Sequence, residues 1–416
     1  MNPLPSSRSP RAARPTALHA AAWLALLAIA PAVSAGFRPE VLAELDAALT
    51  NAIAEKKTPG AVIWLEHGGQ SHTRAFGQRA LKPATEPMTL DTVFDVASLT
   101  KVVATAPAVM LLVERGQVRL DDPVRQYLPD FSGAERDAVS VRHLLTHTSG
   151  LTSGISSAGF KDRDGALAKA ALERPRATPG TAFHYCDVNF ILLDELVRRV
   201  AKQPLDEFVA AEFYRPLQMS NTTFRPAPSL RPRIAPTQDI LGGPLRGTVH
   251  DPTARRMGGV AGHAGLFSTA ADLARFARMT LNAGELDGVR VLKPETVRLM
   301  TTVQSPPAVL ARRGLGWDLD SGYSRPRGLV FPLGSYGHTG FTGALLWIDP
   351  FSKTFVILLT NRLHPRGDGN VTELYAETGT LAARAVADFN FKEVPGALPF
   401  RTNFINWGAV TNHLRD

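Results

Sequence analysis

The 416-residue chain is 44% hydrophobic and 20% charged, the balance of a folded globular protein, and is long enough for two domains or one large domain with an insertion. Its formal charge of +8 is dispersed along the chain, which argues against a nucleic-acid partner. The lone Cys186 excludes an internal disulfide and a multi-cysteine metal site.

At the N-terminus, Arg8, Arg11 and Arg14 precede an apolar run from Ala20 to Ala30, and Val33-Ser34-Ala35 supplies small residues before Gly36. This is the pattern of a secretory signal peptide over residues 1–35, cleaved near Ala35. The run is shorter than the roughly 20 apolar residues that span a bilayer. Cleavage lowers the formal charge from +8 to +5. No later stretch reads as a membrane span, so a soluble periplasmic or secreted product is expected, with its oligomeric state left open.

From Arg38 to Lys57, apolar residues at three- and four-residue spacing predict an amphipathic helix. Ala61 to His67, a Gly68-Gly69 turn and Ser71 to Phe76 then predict a β-hairpin. Helical signals follow: Val102 to Glu114 with a kink at Pro107, a short helix capped by Ser140, Asn189 to Val200, and Leu205 to Phe213. Thr222 to Asp251 reads as a long surface loop, and Thr269 with Asp272 caps a helix from Leu273 to Leu281. Strands return at Gly328 to Leu333, Gly343 to Ile348 and Thr354 to Thr360, before a last helix from Val371 to Ala387. The order implies an α/β (α+β) fold whose antiparallel sheet draws on both ends of the chain and is flanked by helices. Residues 36–90 and 270–390 form the sheet domain, 91–269 a mostly helical insertion, and 391–416 a C-terminal tail.

Ser98 and Lys101 are the only Ser–Lys pair at three-residue spacing with Ser first. On a helix they share a face, and a lysine buried against the following apolar run would have a lowered pKa and accept the serine proton. The four residues alone read better as an ordinary helix cap with a surface lysine; their place at the head of an unusually apolar helix, after the strand-like Val93-Phe94, lifts the signal. Tyr185 is a second proton-handling candidate, or an ordinary aromatic with a polar tip. His338-Thr339-Gly340 precedes a strand, and the Phe341 N–H pairs in principle with the Ser98 N–H as an oxyanion hole.

Taken in order, these segments resemble the three motifs of the serine β-lactamase and penicillin-binding-protein superfamily, in its class C β-lactamase-like branch of carboxypeptidases and esterases. The stretches His143 to Leu151 and Gly262 to Ser268 add to the likeness, which runs from about residue 38 to about residue 387. The resemblance implies acylation of Ser98, proton transfer by Lys101 and Tyr185, and an oxyanion hole of the Ser98 and Phe341 N–H groups. It implies substrate contacts at Asp187, His338, Thr339 and Gly340, with no metal or organic cofactor. The substrate would be a small molecule or a peptide, including one derived from peptidoglycan.

Two departures stand out. Asp187 replaces the usual asparagine of the middle motif, and His338 replaces the usual lysine of the last. A carboxylate only accepts hydrogen bonds, and a near-neutral imidazole anchors a substrate carboxylate less firmly than an ammonium. Both argue against efficient β-lactam hydrolysis and leave esters and peptides open. They also motivate an alternative, a weak or inactive penicillin- or peptidoglycan-binding protein. His147 and His263 read as structural loop histidines.

Overall fold

The computed structural model describes residues 36–399 except 152, 153 and 241. The expected signal segment, and the tail beyond residue 399, lie outside the described residues. The first helix, α1 (Pro39–Ala54), leads into β1 (Gly60–His67), β2 (Gln70–Ala80) and the short β3 (Glu86–Pro87). The rest of the sheet comes from β4 (Arg312–Arg313), β5 (Asp318–Asp320), β6 (Tyr336–Gly340), β7 (Ala344–Asp349) and β8 (Thr354–Thr360). All eight form one antiparallel sheet in the order β4-β5-β6-β7-β8-β1-β2-β3. The last long strand, β8, thus pairs with the first, β1, as expected of a sheet drawn from both ends of the chain.

The central strands are apolar throughout because both their faces are covered. In β8, Phe355, Ile357 and Leu359 join one core with Val62, Leu346 and the helical residues Val102, Val109 and Phe190. Their alternates Val356 and Leu358 join the other with Ile63, Leu65, Trp347, Leu45 and Leu49. Period-two alternation therefore divides each strand between two hydrophobic layers instead of between core and water. The second layer is closed by α1 and a C-terminal helix, Thr372–Ala385, which pack together.

The expected strand from Gly328 to Leu333 is not one. Gly328 has φ +64°, Pro326 precedes the run and Pro332 lies within it, so a continuous ladder is excluded. Its apolar residues are buried by tail residues instead: Phe331 packs edge-on against Phe391, and Leu398 N–H donates to the Leu333 carbonyl at 2.8 Å. Helices at Arg163–Leu172 and Pro294–Thr301 were not expected.

Ser98 lies in a 3₁₀ turn, Ala97–Leu99, followed by a π-helical turn, Lys101–Thr105, and then α2 (Ala106–Glu114). Pro107 cannot donate to the Val103 carbonyl four residues earlier. That carbonyl instead accepts from the buried Tyr214 hydroxyl at 3.3 Å, and the helix widens there instead of simply kinking. Contrary to the sequence reading, Ala97–Glu114 is long and apolar enough to cross a bilayer, but it is 83% buried inside the fold as a core helix.

The sheet meets the serine turn at β6. A Cβ on Gly340 would fall 2.3 Å from the Val96 carbonyl oxygen, so only glycine lets the strand end approach this backbone. Gly340→Ala is expected to push the turn away and lower the rate at which a fluorophosphonate probe labels Ser98 at least about 10-fold. Circular dichroism should show the fold retained.

Candidate active site

The turn before Ser98 is strained and held. Ala97 has φ +46°, a region that residues other than glycine rarely occupy. Asp95, fully buried, fixes it: one carboxylate oxygen accepts from Ala97 N–H at 2.9 Å and the other from His250 N–H at 2.7 Å. The Asp95 carbonyl accepts from the Thr342 hydroxyl at 2.6 Å, tying the turn to the β6–β7 hairpin. Burial pushes the Asp95 carboxyl up to about 6, against these hydrogen bonds.

Lys101 is fully buried. Its Nζ donates to Ser98 Oγ at 3.0 Å and to the His263 carbonyl at 3.0 Å, and pairs with Asp187 Oδ1 at 2.8 Å. It also lies 4.9 Å from the centre of the Tyr185 ring. Two hydrogen-bond acceptors and one carboxylate charge thus surround the ammonium. The expected lowering of the Lys101 pKa is corrected by this geometry. Burial alone does lower it, but the Asp187 carboxylate and Tyr185 outweigh burial and raise it above 10.5. Lys101 rests as an ammonium.

Around Ser98 opens a cavity of about 420 Å³, lined among others by Tyr185, Asp187, His250, Asp251, His263, Asp318, Tyr323, His338, Thr339 and Phe341. The structure therefore gathers the sequence candidates, except that Lys101 sits behind the wall and Gly340 serves backbone packing. His338 is buried, and its Nδ1 pairs with the Thr339 carbonyl at 2.7 Å. A carbonyl only accepts, so Nδ1 carries the proton and Nε2 the lone pair. Burial, with Arg313 and Lys101 nearby, holds the His338 pKa well below 6.5. It is a neutral imidazole, not the imidazolium that would anchor a carboxylate.

His263 is more than a loop histidine. It is buried against the cavity, with Nε2 3.0 Å from Asp251 Oδ1. Burial opposes its charge, yet Asp251 raises its pKa above 6.5; reciprocally, His263 holds Asp251 below the usual carboxylate range against the effect of burial. His147 is buried, stacks on Tyr185 at 4.6 Å and accepts from Cys186 N–H at 3.1 Å. It props the Tyr185 ring from behind. Asp318 forms a buried pair with Arg313 at 3.0 Å. Burial pushes the Cys186 thiol up to about 12, leaving it unreactive.

Sequence reasoning missed Asp95, Asp251, Tyr323 and the pairing of His263. Asp95 carried a signal, since an aspartate two residues before a turn often accepts its backbone N–H.

The β-lactamase family model matches residues 45–380, nearly all of the described fold. The chain belongs to the β-lactamase family. "Putative D-alanyl-D-alanine carboxypeptidase" of Escherichia coli (strain K12) is 30% identical over 326 residues, which cover 70% of this chain and 74% of that protein. A Salmonella agona protein of the same name is 30% identical over 308 residues, covering 66% of this chain and 71% of its own length. Among solved structures, EstCE1, "a hydrolase with promiscuous acyltransferase activity", matches with TM-score 0.66 at 21% identity, covering 83% of this chain and 99% of its own. A class C β-lactamase matches with TM-score 0.65 at 18% identity, covering 83% and 97%. These structures establish the shared fold, and the family makes the chain a serine hydrolase.

The histidine states have a consequence for stability. His338 is neutral in the fold and has an ordinary pKa near 6.5 when unfolded. Its contribution is complete above that value and is lost as pH falls below it, because only the unfolded chain takes up the proton. His338→Asn is expected to shrink the loss of unfolding free energy between pH 7 and pH 5, relative to the parent, in urea titrations at both pH values.

Proposed function

We propose that the protein is exported and hydrolyses esters or amides through an acyl-enzyme on Ser98. The contact of Lys101 Nζ with Ser98 Oγ at 3.0 Å, at the edge of an open cavity, carries this reading. Once the Tyr185–Lys101 pair has released one proton to solvent, Ser98 Oγ attacks the substrate carbonyl and its own proton passes to that pair. The oxyanion is met by the Ser98 and Phe341 N–H groups. Collapse expels an alcohol or amine, which takes that proton, and water then releases the acid and restores Ser98. His147 positions Tyr185, and Asp95 positions the serine turn. The N-terminal basic and apolar segment supports export.

The charges of the cavity favour a neutral flank on the substrate. Asp187, Asp251 and Asp318 are matched by Lys101, His263 and Arg313. His338 is neutral. Arg362, close by beneath the Phe341 ring, donates to the carbonyls of Phe341 and Gly369. Among the described residues lining the cavity, no cation remains unmatched for a substrate carboxylate. The names of the Escherichia coli and Salmonella relatives favour a second reading, hydrolysis of a peptide ending in D-alanyl-D-alanine, whose terminal carboxylate would need such a partner.

Three outcomes test this. Wild-type protein should hydrolyse p-nitrophenyl butyrate, and Ser98→Ala should not; a fluorophosphonate adduct must map to Ser98. A wild type with neither turnover nor adduct would favour the binding-protein alternative. Because Lys101 rests protonated and must yield a proton to serve as base, the labelling rate is expected to keep rising from pH 7 to pH 10. A plateau beginning near pH 7 would contradict that proton inventory. Lastly, kcat/KM for acyl-D-alanyl-D-alanine should rise about 10- to 100-fold less steeply above background than for an uncharged ester, the worth of a missing charge-assisted hydrogen bond. Comparable values would restore the carboxypeptidase reading.

A further inference from the structure

Asp187 has a second oxygen to account for. Its Oδ1 is spent on Lys101 at 2.8 Å. The side chain is nevertheless 36% exposed and lines the cavity beside Ser98. Gly154 stands opposite: a Cβ there would lie 3.9 Å from Asp187 Cβ and 4.0 Å from Oδ2. Among the described residues, the glycine places no side chain against Oδ2. The backbone explains why the side chain stays in place, because Asp187 is the first residue of the helix Asp187–Ala201. A carboxylate is favoured there by the helix dipole.

The other carboxylates of the cavity are not available in the same way. Asp251 Oδ1 meets His263 and also caps the helix Pro252–Arg256 through Ala254 N–H at 2.7 Å. Asp318 is 1% exposed, with one oxygen on Arg313 and the other accepting from Ser324 at 2.9 Å. Asp187 is the most exposed of the three, at 36% against 29% for Asp251, and is the one paired with Lys101, which in turn contacts Ser98. The remaining polar groups nearby, Tyr185, Tyr323, His338 and His263, add no full positive charge next to Oδ2 beyond that of Lys101 and the His263–Asp251 pair.

We propose that Asp187 selects acyl groups that present a hydrogen-bond donor, namely a free amino group next to the scissile carbonyl, as in aminoacyl esters and amides. This rests on Ser98 being the acylated residue and names the substrate class of that same site. An amide at position 187 can donate to the carbonyl of an acylated amino group. A carboxylate cannot, and its lone pairs oppose that carbonyl. N-acylation of the substrate therefore replaces an attraction by a repulsion, and such a mismatch discriminates between the two substrates. A free amine reverses the balance, donating N–H to Oδ2 while the apolar and charge-matched walls of the cavity accept the remainder of the acyl chain.

The test compares alanine benzyl ester, N-acetylalanine benzyl ester and benzyl butyrate, with both alanine enantiomers, by chromatographic detection of benzyl alcohol. The free amine is expected to exceed its N-acetyl counterpart at least about 10-fold in kcat/KM. Asp187→Asn should collapse or invert that ratio, whatever it does to the absolute rates, and Asp187→Glu should retain its sign. A wild-type ratio of one or less overturns the proposal without any variant having to fold. A ratio that survives in Asp187→Asn overturns the assignment to Asp187. Turnover of benzyl butyrate alone would sink the amine preference yet leave Ser98 hydrolysis standing. Failure of all three esters, with no fluorophosphonate adduct, would remove both.

Discussion

A single buried ammonium organises this active site. Lys101 has no contact with bulk water, so its charge is tolerable only where acceptors surround it. Each acceptor comes from a different part of the chain: the serine turn, the loop carrying His263, and the first residue of the helix that begins at Asp187. Removing Asp187 would leave an uncompensated charge in the core, and losing either neutral acceptor would leave one N–H of that charge unsatisfied. The three segments are therefore held to one geometry by the energetics of one side chain. Ser98 is positioned by the same requirement.

That requirement extends outward through polar groups that do no chemistry. Thr100 receives the Leu266 N–H and donates to the Ala97 carbonyl, and Thr105 donates to the Gly262 carbonyl. The serine turn and the Gly262–Ser268 stretch are thereby stitched along their length. Asp95 performs the equivalent service toward the β6–β7 hairpin and His250. The positive φ of Ala97 persists because these bonds over-determine it.

Much of this was legible in the sequence. The helix at 39–54, the hairpin that follows it and the strand Thr354–Thr360 all announced themselves through apolar period, because their burial is regular. The motif residues came together as their order implied. What escaped notice was built from charge. The strands at 312–313 and 318–320 consist largely of arginine and aspartate, which read as solvent-facing residues. In the fold, Arg313 and Asp318 are buried partners, as are Arg327 and Asp320. Likewise the pKa of Lys101 was read from burial alone, and its sign changed once Asp187 was seen beside it. Pairwise electrostatics depends on distance between remote residues, which local pattern does not encode.

The one-to-one matching of charge around the cavity also governs how a substrate arrives. Opposed unit charges about 3 Å apart cancel beyond a few ångströms, so the mouth projects little net field into solvent. The three pairs therefore add little long-range pull on charged molecules, and Arg362 behind the Phe341 ring is the nearby cation whose partners are only carbonyls. Recognition is thereby postponed to the moment of contact, when shape and individual hydrogen bonds decide. Such a mouth works much alike in dilute and in salty surroundings.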